Sequence, residues 1–243
     1  MQGICRLCQQ MADLRDSHII PEFLYKLTYD EKHRAELGSL ETGATPETLQ
    51  KGLREQLLCD QCEGLFSKLE HYASRVLFHK AGLRASTTGR VLTVTGVDYA
   101  RFKLFLLSLL WRAGVSGLPA FNQVRLGPHE EVLRRQLLDS NPGPRHQYPC
   151  SLSAFTKHAE LIRQTIIFPY SLRMDGHRAY RIVFAGLRCT YWVSGHVRPS
   201  QVRSGVMTEE GNLPVTFLSP EQEERFVSHI AERMPDAWLD DEL

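Results

Sequence analysis

The chain has no apolar run long enough to cross a membrane. Its longest one, residues 104–111, is interrupted by Ser108 and bounded by Lys103 and Arg112, whereas a membrane helix needs ~20 apolar residues in a row. The first ten residues also lack the apolar segment of a signal peptide. The sequence therefore predicts a cytoplasmic protein without a membrane partner. It contains neither a Gly-rich phosphate loop nor a G-x-S-x-G motif, so nothing indicates a P-loop enzyme or a serine hydrolase.

Net charge gives no information about partners, because 29 basic and 28 acidic side chains nearly cancel. Their distribution is uneven. Residues 144–205 contain nine Lys or Arg and two Asp or Glu, whereas residues 206–243 contain two and ten. A hydrophobic fraction of 42% and a charged fraction of 23% are ordinary for a globular protein. The basic stretch and the acidic tail therefore stand out as regional features.

Cysteine is scarce, but four of the six cysteines form two C-x-x-C pairs, Cys5 with Cys8 and Cys59 with Cys62. In a reducing compartment, two such pairs separated by a long insert favour a metal over a disulfide. Four thiolates complete the tetrahedral shell of zinc and leave no open position, which predicts a structural zinc site. A redox dithiol and four independent free cysteines are the alternatives. The first needs a neighbouring βαβ unit, and the sequence shows none.

Hydrophobic periodicity and turn residues divide the rest of the chain. Ser17 is predicted to cap a short helix. Longer helices are predicted over 62–80, from Asp98 to about residue 112, over 128–139, and from Pro220 to about residue 234. Strands are predicted over 90–96, 161–168, 178–185, 187–193 and 213–218. Residues 30–50 read as an insertion with a short helix near Pro46. The apolar helix after Asp98 is expected to be the centre of a second core.

A histidine motif follows the first cysteine pair. The order is C-x-x-C, then Ser17-His18-Ile19-Ile20-Pro21, then C-x-x-C at the head of a helix. Over about residues 1–80 this order resembles the zinc-containing branch of the HNH (ββα-metal) endonucleases. The segments SHIIPEFLYK, LLCDQCEGLFSKLEHY and LSLLWRAGVS are also similar to a group of bacterial proteins labelled HNH-like.

The resemblance implies a function and a set of site residues. His18 would be the general base that activates water for attack on a phosphodiester. Glu63 would complete the catalytic site, and with Ser67 or Glu70 it would supply oxygen ligands to Mg²⁺ or Mn²⁺. The same resemblance suggests a setting in bacterial defence.

The sequence departs from the HNH pattern at three points. Ser17 stands where the family has Asp or Glu. Phe66 stands where a metal-binding His or Lys is common, and no asparagine precedes Asn122 to orient the base. An alternative interpretation is a catalytically degenerate zinc module that binds nucleic acid or a partner protein. In that interpretation Ser17 caps a helix and His18 makes a buried hydrogen bond.

The basic stretch adds a candidate nucleic-acid-binding surface. Arginine binds phosphate through paired hydrogen bonds, and interleaved aromatic side chains can stack on bases. The candidate contacts are four arginines: Arg173, Arg178, Arg181 and Arg188. The alternatives are an ordinary charged surface on outward-facing strand positions and a basic face covered by the acidic tail.

The sequence as a whole predicts an α+β fold with two parts. Residues 1–85 form a zinc-stapled, HNH-like ββα module, and residues 86–243 form an α+β domain with a central apolar helix and a basic β region. The predicted function is a metal-dependent nuclease that acts on DNA or RNA. Its cofactors would be a structural zinc and a catalytic Mg²⁺ or Mn²⁺.

Overall fold

The computed structural model describes residues 1–26, 28, 35–37, 47–49, 52–79, 82–174, 176–194 and 205–231. They form a mixed α+β structure, as predicted. The strands are β1 Gln2–Ile4, β2 Met11–His18, β3 Ala35–Leu37, β4 Glu47–Leu49, β5 Arg54–Cys59, β6 Arg84–Thr88, β7 Val91–Thr95, β8 Cys150–Ala154, β9 Ile167–Met174, β10 His177–Phe184, β11 Leu187–Trp192 and β12 Leu213–Phe217. The helices are α1 Glu22–Tyr25, α2 Asp60–Ser74, α3 Tyr99–Val115, α4 His129–Leu138, α5 Ala159–Arg163 and α6 Pro220–Ala231. None of these helices is long and apolar enough to span a membrane.

The N-terminal sheet has three strands in the order β1-β2-β5, and its neighbours are antiparallel. β5 leads directly into α2, because the helix begins at Asp60, immediately after Cys59. Apolar residues at helical spacing bury one side of α2, through Phe66, Leu69 and Ala73. The predicted long helix is confirmed, and its last turn, Arg75–His79, is π-helical.

Ser17 does not cap a helix, so that prediction is wrong. Ser17 lies in β2, and its buried hydroxyl accepts a hydrogen bond from the N–H of Leu58 at 3.2 Å. The serine therefore joins β2 to β5. Helix α1 begins only at Glu22, after Pro21, whose φ of −55° leads the chain into the helix.

The larger sheet has seven strands in the order β6-β7-β12-β8-β11-β10-β9. Only the β12–β8 pair is parallel among these described strands. A two-residue turn joins β10 to β11, and Ala185 and Gly186 both have positive φ there, at 52° and 76°. Those angles belong to a type I′ hairpin turn. The predicted strands over 90–96, 178–185, 187–193 and 213–218 are confirmed, whereas β6 and β8 were not predicted.

Two further predictions need correction. The predicted strand over 161–168 is wrong at its start, because α5 continues to Arg163 and β9 begins at Ile167. A single helical turn is enough to bury Ile162, which packs in a small apolar cluster with Phe226. The predicted irregular insertion over 30–50 contains an antiparallel pair of strands, β3 and β4. Pro46 lies outside the described residues.

Helix α3 was predicted to be the centre of a second core, but it lies in a core cluster that also includes residues of the N-terminal sheet. The Asp98 carboxylate caps it by accepting a hydrogen bond from the N–H of Arg101 at 3.0 Å. Nearly every side chain from there to Val115 is buried. The helix continues through Gly114 and ends at Val115. Position 114 has no room for a side chain, because a Cβ there would lie 2.3 Å from a methyl carbon of Leu126. The buried cluster around α3 extends from the N-terminal sheet to β12, and the domain boundary between residues 85 and 86 stays a prediction.

Candidate functional site

The four paired cysteines meet at one end of the N-terminal sheet. Cys5 and Cys8 lie on the turn between β1 and β2, which closes through hydrogen bonds from the Gln9 N–H to the Cys5 carbonyl at 2.8 Å and from the Cys5 N–H to the Gln10 carbonyl at 2.9 Å. Gln9 adopts a φ of 62° there. Cys59 ends β5, and Cys62 lies in the first turn of α2.

The geometry of this cluster suits a tetrahedral metal ion such as zinc. The four Sγ atoms all lie within 4.8 Å of one another, and the Cys8 and Cys59 sulfurs are 3.8 Å apart. Thiolates at ~2.3 Å from zinc in a tetrahedral site are about 3.8 Å from each other. The two C-x-x-C units therefore form one cluster of four ligands that fits the ion.

Burial, hydrogen bonds and crowding shift the pKa values of Cys5, Cys8 and Cys62. Burial opposes ionisation of Cys5, but N–H donors from Cys59, Cys8 and Leu7 outweigh it and lower its pKa to about 7. Burial raises the pKa of Cys8. Burial, followed by the neighbouring Cys59 and Cys5, raises the pKa of Cys62. A divalent cation opposes the effects of burial and of the neighbouring thiols, because it favours the thiolate form of each ligand.

Helix α4 holds the first cysteine pair in place. The Arg134 guanidinium donates a hydrogen bond to the carbonyl of Leu7, which lies between the two cysteines. Arg134 is itself oriented by Glu131, whose carboxylate binds it at 2.7 Å. The N–H of Arg6 donates to the Leu57 carbonyl at 3.0 Å. Strand β5 and helix α4 therefore both support the cysteine turn.

His18 is the last residue of β2, opposite Arg54 of β5. Its side chain is 19% exposed, and its Nε2 atom lies 3.9 Å from a Glu22 carboxylate oxygen. Nε2 is buried and makes no hydrogen bond in the described part of the chain. Burial and then the charge of Arg54 lower the pKa of His18, with Arg112 adding to this and Glu22 opposing it. The imidazole is therefore held in its neutral form at pH 7.

Sequence reasoning missed Arg112, a buried residue that ties the His18 strand to helix α2. Its Nη1 atom donates to the His18 carbonyl oxygen at 2.9 Å and to a Glu70 carboxylate oxygen at 2.8 Å. The guanidinium also lies 5.1 Å from the centre of the Phe66 ring. The available signal was a charged residue inside an apolar helix, which must find a partner.

The three candidate oxygen ligands of α2 have different environments. Glu63, Ser67 and Glu70 recur at helical spacing and share one side of the helix. A Glu63 carboxylate oxygen is buried and makes no hydrogen bond among the described residues. Ser67 is exposed, and Glu70 binds Arg112. Within the described residues, neither a hydrogen bond nor an ion pair joins His18 to Glu63.

The four candidate phosphate-binding arginines divide between the two faces of the larger sheet. Arg173 and Arg178 oppose each other across β9 and β10, and Arg178 donates to the Arg125 carbonyl at 2.9 Å. Arg181 and Arg188 lie on the other face, because side chains alternate along a strand. The structure therefore brings together two pairs rather than one set of four.

Comparison of the chain with protein-family models, with curated proteins and with solved structures finds no match. The arguments about function therefore depend on the contacts described above.

Proposed function

We propose that the chain is an HNH-like, metal-dependent nuclease that acts on DNA or RNA, with His18 as the general base. One observation carries the proposal. His18 ends β2, β2 pairs with β5, and β5 leads directly into the helix that contains Glu63. This strand–strand–helix order, with a histidine at the strand end, is the order that the HNH resemblance implies.

The environment of His18 suits a base. Its Nε2 atom makes no hydrogen bond among the described residues, so no protein donor competes for it as a proton acceptor. A pKa below the usual value keeps the imidazole unprotonated at neutral pH. One cation beside His18 would also attract a phosphodiester. It is Arg54, which lies opposite His18 in the strand pair and is partly neutralised by Asp16 at 3.6 Å.

Glu63 and Ser67 are the residues that would hold the catalytic Mg²⁺ or Mn²⁺. Glu63 has a buried carboxylate oxygen to which no described residue donates a hydrogen bond, and oxygen ligands are those that both ions prefer. Glu70 fits less well, because Arg112 occupies its carboxylate. The ion, when bound, stabilises the negative charge that develops on the phosphate. Zinc at the four cysteines has a structural role, since its shell is complete.

The test is cleavage of plasmid, single-stranded DNA and RNA in Mg²⁺ or Mn²⁺ by the wild type, by His18→Ala and by His71→Ala. His71 is an exposed histidine of α2, so it controls for the loss of an imidazole. Each variant is first checked for bound zinc. We expect His18→Ala to lose a factor of about 10²–10⁴ in cleavage rate, while His71→Ala cleaves normally. No cleavage of any substrate by the wild type would contradict the proposal.

A second candidate function is a zinc module that binds nucleic acid or a partner protein without cutting it. The observation that favours it is that two side chains beside the proposed site already bind other groups of the protein. The hydroxyl of Ser17 binds the backbone of β5, and the carboxylate of Glu70 binds Arg112. Saturable binding of an oligonucleotide by a wild type that cleaves no substrate would support this candidate over the nuclease.

A further inference from the structure

The larger sheet has an unusual charge composition. Its seven strands contain five arginines and, in the described structure, neither aspartate nor glutamate. Two of the arginines are neighbours on one face. Arg181 of β10 lies opposite Thr190 of β11, and Arg188 of β11 lies opposite Val183 of β10. This register makes the two arginines diagonal neighbours, so their long side chains reach the same patch of the sheet.

The two guanidinium groups have no acidic partner within the described residues. Burial, followed by the charge of Arg181, lowers the pKa of Arg188 to about 10. The Nε atom of Arg188 is buried and makes no hydrogen bond to any described residue. Arg181 donates from Nε to the Thr190 hydroxyl at 3.3 Å and from Nη2 to the Met174 sulfur at 3.4 Å. Two adjacent, partly buried cations are costly when, as among the described residues here, no carboxylate pairs with them, so an anion bound between them would be stabilising.

Two of the three glutamates of the covering helix, Glu223 and Glu224, are engaged elsewhere. Helix α6 packs on this face through Phe226 and Ile230, which belong to the same buried apolar cluster as Val183. Its fully buried carboxylate, Glu223, accepts hydrogen bonds from the N–H groups of Thr156 and Lys157 at 2.7 and 2.9 Å. Glu224 pairs with Lys157 on the surface. Neither carboxylate neutralises the arginine pair.

Hydroxyl groups complete the patch. Ser153 of β8 lies opposite Arg188, and Ser151 lies opposite Thr190. Thr216 of β12 lies beside Ser153. Hydroxyls donate hydrogen bonds to anionic oxygens, and each guanidinium presents a planar fork that matches two oxygens of one phosphate. The patch therefore offers hydrogen-bond donors and positive charge together.

We propose that Arg181 and Arg188, with the hydroxyls of Thr190 and Ser153, form a binding site for one phosphate group. The site lies on the opposite face of the sheet from Arg173 and Arg178. Its ligand is either free phosphate or a phosphate of a nucleotide chain, which share the same tetrahedral oxyanion. The proposal does not depend on cleavage at His18.

The test is isothermal titration of the full-length protein with inorganic phosphate and, separately, with a 5′-phosphorylated dinucleotide, at fixed ionic strength. The variants are Arg188→Gln and, as a matched control, Arg84→Gln. Arg84 is an exposed arginine of β6 in the same sheet, so both variants remove the same charge from that sheet. We expect Arg188→Gln to weaken binding at least tenfold and Arg84→Gln to leave it within twofold of the wild type.

The two ligands distinguish the source of the phosphate. Equal affinities would identify free phosphate as the ligand, and tighter binding of the dinucleotide would identify a nucleotide chain. If Arg188→Gln does not fold, Thr190→Val and Arg181→Gln test the same site, and each should weaken binding. An absence of saturable binding of both ligands to the wild type would overturn the proposal. Equal weakening in Arg188→Gln and Arg84→Gln would also overturn it, because it would indicate non-specific attraction.

Discussion

The four-cysteine cluster and the surroundings of His18 flank the same pair of strands, yet they are built in different ways. Each half of the cluster is a pair of cysteines three positions apart, so sequence spacing alone predicts it. The surroundings of His18 depend on Arg112, which lies 94 positions away and binds the His18 carbonyl. The comparison teaches that local ligand pairs can be predicted from a sequence, whereas a site completed by distant packing cannot.

Zinc loss is expected to have the largest effect, because the cluster joins β2, β5 and α2. We expect Cys62→Ser to abolish stoichiometric zinc binding and to unfold the N-terminal sheet. A structural zinc site contributes on the order of 10 kcal/mol of metal-coupled folding free energy, which is comparable with the whole stability of a typical domain. Zinc content by mass spectrometry and secondary structure by circular dichroism measure both effects.

Cys150→Ser is the matched control for that variant. Cys150 lies in β8, outside the cluster, and is fully buried. The control can lose stability, but it should keep its zinc. A Cys62→Ser protein that retains stoichiometric zinc and a native spectrum would show that the four cysteines do not act as one site, and the contrast with His18 would disappear.

Breaking the Arg112 contacts is expected to have the second-largest effect. Arg112→Met leaves the Glu70 carboxylate and the His18 carbonyl without their donor. Removing one partner of a buried ion pair costs about 3–5 kcal/mol, reduced somewhat here because Glu70 is 24% exposed. Urea denaturation measures this loss. Arg101→Met is the control, because Arg101 is largely exposed on the same helix and should cost under about 0.5 kcal/mol.

The zinc content of Arg112→Met tests whether the cysteine cluster and the surroundings of His18 are stabilised independently. Arg112→Met should destabilise the protein while zinc remains bound, because the cysteines are held by the strands, by α2 and by Arg134 rather than by Arg112. Loss of zinc in Arg112→Met would mean that the cluster and the His18 strand form a single cooperative unit. An effect no larger than that of Arg101→Met would remove the structural role assigned to Arg112.

Strong periodicity explains which elements could be predicted. α3 was predictable because a capping aspartate precedes a nearly continuous apolar helix, and β10 and β11 because a two-residue turn separates them. β2 was missed because its sequence, MADLRDSH, has few apolar residues and one largely exposed side. Its strand character comes from pairing with β5, which a local pattern does not show.

The candidate site was predictable only in part, for the same physical reason. The spacing of the cysteines alone predicts that they are metal ligands. A carboxylate such as Glu70 has the same appearance in a sequence whether it binds a metal or an arginine, and only packing against α3 decides which. Likewise, four arginines in a basic stretch look equivalent until strand register separates Arg181 and Arg188 from Arg173 and Arg178.

The smallest effect concerns the protonation of His18. Arg54→Gln removes a cation that lowers the pKa of this histidine, so we expect that pKa to rise toward the ordinary value of 6.5. In the wild type the unfolded state binds the proton at a higher pH than the folded state, and the free energy of unfolding therefore falls as the pH drops below 6.5. That dependence should weaken in Arg54→Gln.

An NMR titration of the His18 ring protons measures the change directly, and Arg15→Gln is the control. Arg15 lies on the same strand as His18, is largely exposed and pairs with Asp60 at 3.1 Å, so its removal should leave the His18 pKa unchanged. A pKa that does not move in Arg54→Gln would mean that burial and Arg112, and not Arg54, depress it. The charge of Arg54 on β5 would then make no contribution to the environment of His18. The surroundings of His18 would no longer differ from the cysteine cluster by an electrostatic contribution from β5.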